Sequence, residues 1–388
     1  MSNHTNDPWE KEMSRTFDQR VRDLHEAPLS FDQVKGKAGR IRRTRRLAVA
    51  GGALAAAAVI VPIVVFAGGK LTDDSGPEPA PKPKETATDP NAPGFGYLEG
   101  KTLHRADGST TDLAARYTWA TEIGDTLFAV RNDDETGNLS LDVLDESGTP
   151  TETVPLSSYP IVNDDHTVLA YIETDGDLIT RGEAADSVLS TAVPANALPT
   201  TLTGGADCEN DGCVVYFEPE GGGGESFVVS VPSGIVDPAV PDTIGVQDAD
   251  ETGRSTVQIS YTDQGSCGGV AEPGGNGYVY LWQTCDFFLF EISPGSKYVD
   301  ATHAYLDGFG NAYASILDAA TGREIIRFDP PDGTITQTVW QDSEHLLAKV
   351  YGADGWSVYR IGADKTVDQI LEPTGKGNDV DPAYTVLD

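Results

Sequence analysis

Cys208, Cys213, Cys267 and Cys285 are the residues whose type and spacing could do chemistry, and two chemistries compete for them. One is a four-thiolate zinc site, which calls for paired C-x2-C knuckles. The chain spaces its cysteines as C-x4-C and C-x17-C instead. The other is disulfide formation. It suits an even count with no cysteine in the first 70 residues, provided that the later part of the chain meets an oxidising compartment. Three connectivities exist, and the local pairs Cys208–Cys213 and Cys267–Cys285 need the least chain closure. Two structural bridges are expected.

Other patterns lead to less. His104, His166, His303 and His345 are widely separated, and each reads as a surface or strand residue, although some could converge in a ring-shaped fold. Gly221 to Gly224 is not followed by the Gly-Lys-Ser/Thr of a phosphate loop and reads as a hairpin tip. Asp248-Ala-Asp250-Glu-Thr252-Gly253 begins like an EF-hand loop, but Ile259 stands where the bidentate Glu belongs. Asp133-Asp134 and Asp164-Asp165 read as solvated turn residues. H-E-x-x-H and G-x-S-x-G do not occur, and Gly265-Ser-Cys-Gly-Gly269 has the wrong offset. No catalytic residue, metal ligand or cofactor is expected.

The compartment that would oxidise those cysteines depends on an earlier element. Leu47 to Ala67 contain no charge, and as a helix they would cover roughly the 30 Å of a bilayer core. Arg40, Arg42, Arg43, Arg45 and Arg46 crowd the front edge, and Lys70 is the only early cation behind it. Short basic flanks stay cytoplasmic, so the N-terminus is expected inside and everything after Gly69 outside. A cleavable signal ending at Val65-Phe66-Ala67, a twin-arginine signal at Arg45-Arg46 and a buried core helix are the alternatives. The apolar run is longer than an ordinary signal core, and its flanks are those of a membrane span. Gly52 and Ala56 form a small-xxx-small pair that would let two such helices approach.

Charge follows the same division. The chain has 27 Lys and Arg against 61 Asp and Glu. Residues 1–46 hold 11 basic and 7 acidic residues, whereas residues 70–388 hold 16 and 54. The inner excess suits an anionic leaflet, and the outer deficit excludes nucleic acid as a partner. Within 1–46, Trp9, Met13, Phe17, Val21 and Leu24 share one helical stripe, which needs the membrane surface or a partner protein to cover it. Residues 70–93 alternate Pro with charge and predict an extended spacer.

From Gly94 the pattern becomes short β runs between Gly, Asp, Asn and Pro, repeating about every 40 residues. The last unit is the clearest, with runs at Ile335 to Trp340, His345 to Tyr351, Trp356 to Ile361 and Thr366 to Leu371. Inner strands are expected near 117, 159, 198, 243, 287 and 335. Tyr97 to Leu113 and Ala383 to Leu387 are left over, and together they make a seventh unit closed by both ends of the domain. Closing the circle removes every open edge. The expected fold is all-β, a seven-bladed β-propeller over 94–388, with six or eight blades as alternatives and a string of sandwiches as runner-up.

The runs Ile292-Ser-Pro-Gly-Ser-Lys-Tyr298 and Ser315-Ile-Leu-Asp-Ala-Ala-Thr-Gly-Arg323 resemble the WD40-like or TolB-like propeller repeat, with Ser296 in place of the glycine of S-P-D-G. The whole layout resembles actinobacterial single-pass membrane proteins with an extracytoplasmic propeller, some of them anti-sigma-factor-like. A rigid multi-bladed scaffold without chemistry, tethered on a spacer, points to a binding or sensing module outside, with an extracytoplasmic protein or small ligand as the propeller's partner and a cytoplasmic regulatory protein as the partner of residues 1–46. The lipid bilayer is expected to hold 47–69.

A non-enzymatic sensor is thus the first expectation, a cell-wall sugar or peptide enzyme the second, and a structural envelope protein the third. A sialidase-like propeller would carry S-x-D-x-G-x-x-W boxes, and none occurs. The lining of the central channel separates the first two. Two or more carboxylates beside an aromatic platform would favour the enzyme, whereas a small apolar lining would disfavour it.

Overall fold

Many strands end at tight turns that short polar side chains close. Asp145 Oδ1 accepts from the backbone N–H of Ser147 and of Thr149, both at 2.9 Å. Asp250 Oδ1 does the same for Thr252 and Arg254 at 2.8 and 3.0 Å. Asp364 Oδ1 accepts from Thr366 N–H at 3.0 Å. Such carboxylates mimic a backbone acceptor and fix the chain reversal. At Ser296, where the related repeat has glycine, the backbone takes φ 60°.

The computed structural model describes residues 94–387, except 134–136, 183–185, 190–192, 194–196, 211, 220–225, 263–264, 276, 306–309, 376 and 379–380. It consists of seven four-stranded antiparallel sheets. Blade 1 joins both ends of the domain: Tyr384–Val386 lies innermost, followed by Tyr97–Glu99, Thr102–His104 and Thr110–Asp112. Its closing register is Tyr97↔Val386, Leu98↔Thr385 and Glu99↔Tyr384. The inner strands of blades 2 to 7 are Trp119–Ile123, Ile161–Val162, Ala197–Gly204, Gly245–Ala249, Phe287–Ile292 and Thr334–Trp340. Within each of these blades the strands follow chain order outward. The expected blade number, the seventh unit and the inner-strand positions all agree with this arrangement.

The core is divided among the gaps between blades, for a reason that lies in the two-residue period of a strand. In the second strand of blade 3, Val168–Ile172, all five residues are buried. Val168, Ala170 and Ile172 pack on Leu202, Val215 and Phe217 of blade 4. Leu169 and Tyr171 point the other way, onto Phe128, Val130 and Leu141 of blade 2. Each blade is a sheet buried on both faces, so its middle strands read as unbroken apolar runs. Apolar clusters fill all seven gaps, including Trp356, Val358, Tyr384 and Val386 between blades 7 and 1.

The two ends of the propeller differ. One, the turn face, carries the turns from first to second and from third to fourth strands. The other, the connection face, carries the second-to-third turns and the links between blades. Both ends of the domain reach the turn face, where Leu387 N–H donates to Gly96 O at 3.1 Å and Gln341 Nε2 to Gly94 O at 2.8 Å. Cys208–Cys213 braces the first turn of blade 4. Cys267–Cys285 ties the third strand of blade 5 to the link into blade 6. Both are the expected local pairs.

The stripe in 1–46, the arginines from Arg40 to Arg46, the span at 47–69, the spacer at 70–93 and Gly221 to Gly224 lie outside the described residues. Among the described residues no helix is long and apolar enough to cross a membrane.

Candidate functional site at the channel mouth

The inner strand of blade 3 is only two residues long, Ile161–Val162, and the turn after it opens toward the channel. Asn163 locks that turn. Its Oδ1 accepts from the N–H groups of Thr167 and Val168 at 2.9 Å, and its Nδ2 donates to Gly204 O of blade 4 at 3.0 Å. Held this way, the turn places His166 at φ 51° and directs Asp164 into a cavity of about 120 Å³ at the turn face. Blades 4 to 7 complete the wall with Thr200, Asp248, Glu291 and Trp340.

The carboxylates in and around this mouth are not equivalent. Asp248 is buried, and both of its oxygens are engaged. Oδ1 accepts from Thr201 Oγ1 of blade 4 at 2.7 Å, and Oδ2 from Ile292 N–H of blade 6 at 2.7 Å. Burial pushes its pKa up against those two hydrogen bonds. Asp300, also buried, accepts from Glu291 N–H at 2.8 Å and from Thr338 Oγ1 of blade 7 at 2.5 Å. Burial pushes it up too. Asp164 has no comparable hydrogen bonds among the described residues. Burial first, and then the charges of Asp248, Asp250, Asp165 and Glu251, push its pKa up to about 7.

Two neighbours shape what this group can meet. Trp340 contributes its ring to the wall while its Nε1 donates to Glu291 O at 3.3 Å. The Thr200 hydroxyl lines the same wall, buried and without a hydrogen-bond partner. In composition the lining meets the criterion of several carboxylates beside an aromatic ring. In their bonding these carboxylates differ. Asp248 is a strut between blades, and Asp164 is the group with capacity to spare.

The residues singled out by sequence are dispersed. His104 stacks on Tyr97 with ring centroids 4.5 Å apart, and His345 Nδ1 lies 2.9 Å from Asp342 Oδ2. His303 sits 5.8 Å from the Tyr313 ring. Of the four histidines, His166 lines the mouth. One reading needs correction. Asp164-Asp165 is more than a solvated pair, because Asp164 turns inward. The EF-hand-like run at Asp248 is a strand end and a hairpin: Asp248 is spent on Thr201 and Ile292, and Asp250 Oδ1 closes its own turn. No group of acidic, histidine or cysteine side chains arranged to hold a metal occurs among the described residues. Asp164 was missed because an acidic pair in a turn is the commonest of surface patterns. The brevity of the preceding strand was the available signal.

No protein-family model matches this chain, and no curated protein matches it. Among solved structures, it is similar to TolB from Acinetobacter baumannii at 14% identity, covering 68% of this chain and 67% of that one, with a TM-score of 0.44. It is also similar to the β-propeller domain of Myceliophteria thermophila Cps50 (Swd1) at 11% identity, covering 69% and 93%, with a TM-score of 0.46.

Proposed function

We propose that this chain is a membrane-anchored, extracytoplasmic propeller that binds and senses without catalysing, and that its channel mouth takes a small cationic group. The anchor is the uncharged stretch Leu47 to Ala67 behind its arginine flank, and the two disulfides suit an oxidising compartment. A regulatory protein meeting residues 1–46 would read the signal inside. The observation that carries the ligand class is Asp164, a partly dry carboxyl with unused acceptor capacity beside Trp340 and an unpartnered threonine hydroxyl. An ammonium group would supply donors to the carboxylate and the hydroxyl, and charge to the indole face.

The test is calorimetric titration of the full-length chain with putrescine and with lysine amide. Binding is expected, with release of a proton near neutral pH as Asp164 ionises. Asp164→Asn is expected to remove it while Asp165→Asn leaves it. Equal binding by Asp164→Asn would refute the site.

One observation favours the second reading, an enzyme of wall sugars or peptides. A carboxyl titrating near 7 is suited to general-acid work. Turnover of peptidoglycan fragments that disappears in Asp164→Asn would establish that reading and displace the first.

A further inference from the structure

The connection face, opposite the channel mouth, carries a row of large exposed side chains across three adjacent blades. In blade 4, Leu198 is 46% exposed and pairs across the sheet with Glu218. In blade 5, Tyr261 is 64% exposed, and burial first, then the nearby Glu218 carboxylate, raise its phenol pKa. Tyr261 pairs with Ser266, whose N–H and Oγ both donate to Ala304 O of blade 6 at 2.9 Å. The next residue, Tyr305, is 50% exposed. The row therefore follows from pairing within blades and bonding between them, and nothing in it is needed for the gaps that hold the core.

Its surroundings are strongly of one sign. Residues 157–333, which include blades 3 to 6, contain 28 Asp and Glu against 5 Lys and Arg. Four of the five cations are already committed: Arg181 to Glu152, Arg254 to Glu272, Lys297 to Glu344 and Arg327 to Glu324. The fifth, Arg323, lies in a third-to-fourth turn on the far face. The exposed Asp242 and Asp286 sit in the links on either side of blade 5, at the same end as Tyr261. A second copy of this chain would bring like charge against like charge. The ends of the described domain, Gly94 and Leu387, lie at the other face.

We infer that Leu198, Tyr261 and Tyr305 form a docking surface for an extended cationic segment of a partner polypeptide, with lysine or arginine beside Glu218, Asp242 and Asp286 and apolar side chains on the row. Tyr261 and Tyr305 also offer ring faces to those cations. This surface is separate from the channel mouth and stands or falls independently of the ligand proposed there.

The test uses full-length protein and a fluorescent synthetic peptide that alternates lysine with leucine and tyrosine. The wild type is expected to bind it with salt-sensitive affinity, and not to bind the glutamate counterpart. Replacing all three residues by serine is expected to weaken binding about 10- to 100-fold, since buried anchors dominate such contacts. Tyr261→Ser alone should weaken it about three- to tenfold and guards against misfolding of the triple variant. Val279→Ser, on the outer strand of blade 5, is expected to bind as wild type. Loss equal to that of the row variants in Val279→Ser, or wild-type affinity in the triple variant, would overturn the inference. So would a dimer in sedimentation that the triple variant abolishes.

Discussion

Asp164 differs from the other acidic turn residues because of what surrounds it, and the difference reverses its effect on stability. The carboxyls of Asp145, Asp207 and Asp364 are held below their ordinary range by hydrogen bonds within their own turns. Asp164 is pushed up from 3.8 to about 7. The folded chain therefore keeps this proton over a range where the unfolded chain has released it. The unfolded state binds fewer protons there, so stability falls as pH rises from about 4 to about 7. Asp164→Asn removes that dependence. Denaturant unfolding of wild type and variant across this range is expected to show the variant gaining about 1–3 kcal/mol relative to wild type by neutral pH, discounted for the side chain's partial exposure. Asp248 and Asp300 are raised as well, with the same sign, and are present in both proteins. Parallel pH profiles would mean that Asp164 titrates as an ordinary surface acid.

At the scale of strands, adjacent blades are tied by polar side chains as well as by apolar packing. Thr201 of blade 4 donates to Asp248 of blade 5, which also receives Ile292 N–H of blade 6. Asp300 of blade 6 receives Thr338 of blade 7. Four consecutive inner strands are thereby linked around the channel by buried carboxyl groups. Thr201→Val keeps the shape and removes one donor, leaving Asp248 Oδ1 buried and unpaired. The expected cost is about 1–3 kcal/mol, read as a lower midpoint in thermal or denaturant unfolding. A silent substitution would show that water replaces the lost hydroxyl. The strands themselves were legible from sequence, since runs such as His345 to Tyr351 are apolar, β-prone and bounded by turn residues. The struts were not. Thr201 and Asp248 are 47 residues apart, and no local pattern marks them as partners.

At the scale of the whole molecule, three residues close the ring. Tyr384, Thr385 and Val386 are all buried, and they pair with Tyr97, Leu98 and Glu99. Tyr384 and Val386 also fill the gap against Leu347, Trp356 and Val358 of blade 7. Deleting residues 381–388 removes the inner strand of blade 1 and opens two gaps at once. The loss is expected to be several kcal/mol out of the roughly 5–15 typical of a domain. It would be read as a lower unfolding midpoint of the truncated chain, with its disulfides intact. A loose tail would come off without consequence. An unchanged midpoint would mean that the ring closes in some other way.

What the sequence determined by itself was the repeating part of this protein. Period-two strands, turn residues and a unit of about 40 residues are local properties. They sufficed for the seven blades, for the join between Tyr97 and Val386 and for the two short-range disulfides. The division of charge and the uncharged stretch at 47–67 were legible for the same reason. Tertiary structure alone decided which side chains of different blades meet. Asp164, Asp248, Thr200 and Trp340 come from four blades and share one cavity wall, and Leu198, Tyr261 and Tyr305 come from three and share one face. A site of this kind is built from one or two residues per repeat. Each repeat contributes too little to stand out, and only closing the circle brings the contributions together.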